Sequence, residues 1–122
     1  MGDLSEHFNS SEFACKCGCG TAFTINPSLL EKLEGIRKFL NRPIEIASGF
    51  RCPTYNVKVG GVSDSVHPDG NAADIRIETS GDRMDVVIAV ISMGFLRIGV
   101  AKTFIHVDVS KTLPQDKMWL YP

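Results

Sequence analysis

The sequence predicts an α+β domain on three observations. Residues 26–41 and 80–94 carry apolar residues at helical period. Five shorter segments alternate or run apolar in the manner of strands. Near the C-terminus the links between strands are of hairpin length, which favours a mainly antiparallel sheet with helices packed on one side. No repeat, low-complexity tract or linker interrupts the chain, so one domain over residues 1–122 is expected.

Taken in order, "FNSSEF" (8–13) has the Ser/Glu spacing of a short capped helical turn. "INPSLLEKLEGIRKFLN" is the clearest helix. Asn26 suits its N-cap and Pro27 its first position. Leu29, Leu30, Leu33, Ile36, Phe39 and Leu40 form its apolar stripe, and Pro43 is expected to stop it. "IEIAS" (44–48) alternates as a strand does. Residues 49–71, rich in Gly, Pro, Asn, Asp and Ser, form a loop too long to be a mere connection, and such loops tend to carry function. "AADIRIE" returns to strand. Ser80 is the expected cap of a second helix, "GDRMDVVIAVISM", ending at Gly94. Its "VVIAVISMGF" cluster reads as buried core. "LRIGVA", "TFIHVDV" and "KMWLY" then read as strands.

The 122 residues are 43% hydrophobic and 22% charged, with a formal net charge of −1. That balance gives no broad attraction to nucleic acid or to an anionic membrane. No apolar run approaches the ~20 residues that span a bilayer. "MGDLSEHFNSSEF" shows neither a basic n-region nor an apolar h-region, and its sixth residue is not the Ser/Thr wanted for myristoylation. Synthesis and retention in the cytoplasm are expected, with no membrane insertion. The protein is expected to work as a monomer.

Cysteines stand at positions 15, 17, 19 and 52. Three sulfurs within five residues do not readily pair with one another. A disulfide from Cys15, Cys17 or Cys19 to Cys52, free thiols, or a thiolate metal site that includes Cys52 all remain open, although C-x-C-x-C departs from the usual knuckle spacing. A nucleic-acid-binding zinc element is disfavoured by the balanced charge and the lack of a basic, aromatic-rich face.

Two polar motifs interrupt otherwise apolar strands. In "FIHVDV", Ile105, Val107 and Val109 take one face and Phe104, His106 and Asp108 the other. In "AADIRI", Ala73, Ile75 and Ile77 oppose Asp74 and Arg76. If these strands share a sheet, Asp74 and His106 converge, and Gly70 lets the preceding loop bring His67 back toward them. Two imidazoles and a carboxylate are a common zinc set with one position left for water, the equipment of an amide hydrolase. The plainer reading makes His67 a loop residue bonded to backbone and His106 a polar residue on a strand edge.

The segment "SVHPDGNAAD" matches S-x-H-x-x-G-x-A-x-D and resembles the first zinc motif of the D-alanyl-D-alanine carboxypeptidase and L-alanyl-D-glutamate endopeptidase family, whose fold is shared with the hedgehog signalling domain. "SGFRCPTYNVKVGGVSDS" resembles that family's S-G-[FY]-R segment and its N-x-x-V-G-G run. "FIHVDV" resembles the second motif and "KMWLY" the terminal aromatic strand. "HFNSSEFACKCGCG" is similar to the start of phage and prophage members. The resemblance implies a hedgehog/DD-peptidase-like fold and Zn2+ held by His67, Asp74 and His106. It makes Arg51 a catalytic residue that binds substrate and steadies the developing oxyanion; Ser65, at the motif's first position, either supports the ligands by hydrogen bonding or is a turn residue. A loop arginine paired with a nearby acid is the plainer reading of Arg51.

The resemblance breaks at the general base, because the positions before His106 hold Thr103 and Phe104, which cannot accept a proton usefully. Asp108 is the first candidate for this catalytic role, against a competing role as the carboxylate that holds an imidazole. Glu78, Asp64 and Asp69 are weaker candidates, and His7 has no assignable place. The expected function is a zinc peptidase acting on peptidoglycan stem peptides. Lacking a signal, it would reach the wall as a phage endolysin released by a holin. The alternative is a non-catalytic zinc module that binds the cell wall or belongs to a phage structure.

Overall fold

A computed structural model describes residues 4–19, 23–52, 70–111 and 113–121. Among these, three helices accompany one five-stranded sheet. The helices are α1 (Ser10–Phe13), α2 (Pro27–Leu40) and α3 (Ser80–Ser92). The strands are β1 (Ile46–Ser48), β2 (Ala72–Arg76), β3 (Arg97–Val100), β4 (Phe104–Asp108) and β5 (Lys117–Leu120), in the spatial order β1-β2-β4-β3-β5. Every neighbouring pair is antiparallel except β3 and β5, which run parallel. The fold is α+β with a mostly antiparallel open sheet.

The caps explain the helix limits. The Asn26 side chain accepts from the Ser28 N–H at 2.9 Å, and Pro27 occupies the first turn, where its missing donor costs nothing. Helix α2 ends where the pattern placed it, but by a different stop signal. Asn41, at φ 56°, closes the helix by returning its N–H to the Lys38 carbonyl, two residues before Pro43. Likewise Thr79, not Ser80, caps α3, its Oγ1 accepting from Asp82 N–H at 3.0 Å. Helix α1 is locked by Glu12, whose carboxylate accepts from the Asn9 N–H at 2.7 Å.

One face of the sheet makes the core. Ala73, Ile75, Ile77, Ile98, Ile105 and Val107 pack against Leu29, Leu33 and Ile36 of α2 and Val86, Ala89 and Val90 of α3. The predicted stripes are narrower than expected: Phe39 is exposed on α2, and Ile88 and Ile91 are exposed on α3. An amphipathic helix buries one side only, and these three sit off it. The C-terminal link is the larger correction. The step from β3 to β4 is an antiparallel hairpin, but β5 crosses to the far side of β3 and pairs there in parallel.

The N-terminal segment is fastened to α2 through Glu34. Its carboxylate accepts from Ser5 Oγ at 2.6 Å, from the His7 N–H at 2.7 Å and from His7 Nδ1 at 2.7 Å. Burial alone would push the Glu34 carboxyl up, but these donors outweigh it and hold the group below its usual range. A lowered folded pKa stabilises the protein above the unfolded value and is lost as pH falls through the folded value. Glu34→Gln is therefore expected to cost about 1–2 kcal/mol near neutral pH and to flatten the acid limb of stability. Urea unfolding across pH 3–7 reads both effects, and an unchanged acid limb would refute the account.

Candidate active site and metal centre

The opposite face of the sheet carries the polar residues, and strand register brings them together. Asp74 lies directly across from His106 in the β2–β4 pair, and His106 lies across from Gly99 in β3–β4. On this face alternate residues line up, so Asp108 follows His106. The three side chains form a row: Asp74 Oδ1 is 2.9 Å from His106 Nδ1, and Asp108 Oδ2 is 2.8 Å from His106 Nε2. Asp74, His106 and Asp108 are only 3%, 5% and 2% exposed.

A guanidinium flanks each carboxylate. Arg51 reaches Asp74 Oδ2 at 3.2 Å and is steadied by Ser48 Oγ, also at 3.2 Å. A register shift between Ile46 and Ser48 sets Ser48 beside Asp74, which starts the chain toward that contact. On the other side Arg97 Nε donates to Asp108 Oδ1 at 2.9 Å, and the Ser110 N–H donates to the same oxygen at 3.2 Å. Arg97 also donates to the Pro114 carbonyl at 2.7 Å and lies 5.0 Å over the Trp119 ring.

The row alternates in sign, which decides the charge on the imidazole. Ionised carboxylates only accept, so a ring between two of them donates from both nitrogens. Burial opposes a charged His106, but hydrogen bonds to Asp108 and Asp74 outweigh it and raise the pKa. The space between Nδ1 and Asp74 thus favours a positive charge, whether a proton or a metal cation.

Aromatic side chains wall the site from β5. Trp119 is in register with Gly99, and its ring centroid lies 5.5 Å from that of His106. Tyr121 packs 5.1 Å from Phe104. The approach depends on Gly99, since a Cβ there would come within 2.6 Å of Trp119 Nε1 and of Tyr121 Cε2.

The structure therefore brings together Asp74, His106, Arg51 and Asp108 of the residues singled out in the sequence. His67, Ser65, Asp64 and Asp69 lie outside the described residues. Gly70, at the edge of that segment, has φ 72° and lies against the Thr24 backbone where a side chain would stand. Glu78 is exposed at the turn into α3, four residues beyond Asp74, or ~13 Å along an extended strand. His7 sits with Glu34 on α2, away from this row. Arg97, Ser48 and Gly99 were missed. A charged residue and a glycine at alternate positions of "RIG" were the available signal, because a strand glycine marks close approach by another group.

The cysteines also come together. Among the described residues no disulfide joins Cys15, Cys17, Cys19 and Cys52, and their sulfurs all lie within 4.8 Å of one another, an arrangement able to hold a metal ion. Among the described residues no helix is long and apolar enough to cross a membrane.

A family model described as Peptidase M15 matches residues 6–108. The matched span contains the row from Arg51 through Asp108 and ends where β4 ends. Comparison with curated proteins gave no match.

Proposed function

The chain belongs to the peptidase M15 family, and from that membership we propose a zinc-dependent peptidase that hydrolyses amide bonds in peptidoglycan stem peptides, as a carboxypeptidase or an endopeptidase. The observation that carries the proposal is the buried Asp74–His106–Asp108 row with Arg51 at its edge. Its donor chemistry fits zinc. An imidazole nitrogen and a carboxylate oxygen face one another within 2.9 Å, while the second ring nitrogen is held by another carboxylate, the usual support for a metal-bound histidine. Asp74 and His106 would hold the ion together with His67. Bound there, zinc supplies Lewis acidity toward a carbonyl oxygen and toward water.

The chain's own residues do the rest. Arg51 is largely sheltered and oriented by Asp74 and Ser48, and its planar fork presents fixed donors suited to a substrate oxygen that gains charge. Asp108 has both oxygens engaged, by His106 and by Arg97 with Ser110, which suits a positioning role better than proton acceptance. Trp119 and Tyr121 give the site an apolar wall that limits water and can pack against substrate. The resemblance of "SVHPDGNAAD" and "SGFR" to the wall-peptidase motifs supports the substrate class. The same reading has a monomer act at the cell wall, reached by holin-mediated release as in a phage endolysin.

Zinc-loaded protein is expected to release D-Ala or stem-peptide fragments from purified cell walls, and a chelator is expected to stop that release. Amine-release assays and mass spectrometry of the soluble products measure it. No product from terminal D-Ala-D-Ala bonds or from internal stem-peptide bonds would remove the hydrolase assignment and leave a binding module.

A further inference from the structure

We propose that Cys15, Cys17, Cys19 and Cys52 form a second metal centre, a tetrathiolate site for a zinc-class divalent cation, which fastens the N-terminal segment beside Arg51. Four sulfurs about 2.3 Å from a tetrahedral zinc stand roughly 3.8 Å apart. Here Cys15 and Cys52 are 3.7 Å apart, Cys17 and Cys52 3.8 Å, and Cys15 and Cys17 3.3 Å. Cys19 completes the set, with every sulfur inside 4.8 Å of the others.

The backbone is arranged for this. C-x-C-x-C is too tight for an extended strand to aim three sulfurs at one point. The chain instead turns: the Gly18 N–H returns to the Cys15 carbonyl at 3.3 Å, and Gly18 takes φ 78°. The Cys52 N–H points at the Cys15 sulfur at 3.4 Å, the donor arrangement that favours a thiolate. Burial opposes ionisation of Cys15, yet the N–H groups of Cys52 and Cys17 lower its pKa. A divalent cation would be held by replacing the four thiol protons, which leave to solvent. A disulfide would join two sulfurs and leave the convergence of the other two without a reason.

The position of the cluster gives it a consequence. Phe13 and Cys15 run alongside residues 49–52, with the Phe50 N–H donating to the Phe13 carbonyl at 2.8 Å. A Cβ on Gly49 would come within 2.8 Å of the Phe13 backbone. Cys52 directly follows Arg51, so a metal held there fixes the backbone that carries the guanidinium to Asp74.

The test uses the full chain under reducing conditions. Native mass spectrometry is expected to show that Cys52→Ser loses one zinc and keeps the other, and that His106→Ala does the reverse. Loss of all zinc in Cys52→Ser with none lost in His106→Ala would still support the cysteine site while refuting the His67–Asp74–His106 centre. Cobalt substitution of the unaltered protein needs no variant to fold, and intense thiolate-to-cobalt charge-transfer absorption is expected, retained in His106→Ala. Absence of that absorption would overturn the proposal. So would unchanged zinc content in Cys52→Ser.

Discussion

His106→Ala is expected to lower peptide hydrolysis by roughly a thousandfold or more, about 4 kcal/mol of barrier, and to remove the metal held with Asp74. The imidazole is the centre of the row, so its loss takes away a donor and leaves Asp74 and Asp108 facing a buried gap. Each carboxylate keeps its arginine, Arg51 or Arg97, so the fold should survive with reduced stability. His106→Gln fills more of the gap with a polar side chain and serves as the control for collapse. Circular dichroism separates unfolding from loss of function. A folded, zinc-poor His106→Ala protein that still cleaved at the unaltered rate would refute the assigned centre.

Arg51→Ala should cost less and in a different way. Removal of one donor to a developing oxyanion typically lowers kcat about 10²–10³-fold. Arg51 touches Asp74 from the side opposite His106, so the metal content should be nearly unchanged. Arg51→Lys is expected to recover only part of the rate, because an ammonium is a point charge and cannot bridge Ser48, Asp74 and substrate with a fixed fork. Steady-state kinetics read the result as a fall in kcat larger than any rise in KM. An unaltered kcat in Arg51→Ala, with zinc bound, would leave Arg51 as nothing more than the ion-pair partner of Asp74.

Much of this site was legible because strands encode it simply. Period-2 alternation puts His106 and Asp108 on the polar face of "FIHVDV" and Asp74 on that of "AADIRI", and the β2–β4 register supplies the pairing that brings the two faces together. The helix α2 was equally readable, since Asn26 and Pro27 are local signals acting within one turn. Its end fell where the pattern placed it, but the stop is the left-handed turn of Asn41, a signal that Pro43 obscured. The parallel placement of β5 was not legible. Pattern shows that "KMWLY" is a strand, but the partner is selected by packing, here the space that Gly99 leaves for Trp119. Arg97 was missed for the same reason, since its purpose appears only when Asp108 and Trp119 surround it. The cysteines were ambiguous because convergence depends on the turn at Gly18 and on contact between segments more than thirty residues apart.

The strap formed by residues 13–15 along residues 49–52 has a practical consequence for anyone shortening this protein. A version trimmed to begin at α2 would retain the whole sheet and the proposed donors His67, Asp74 and His106, and by inspection would look sufficient. It would also strip the outer support from the backbone on either side of Arg51. Weak turnover by such a fragment would then report a slack guanidinium, not a poor chemical design.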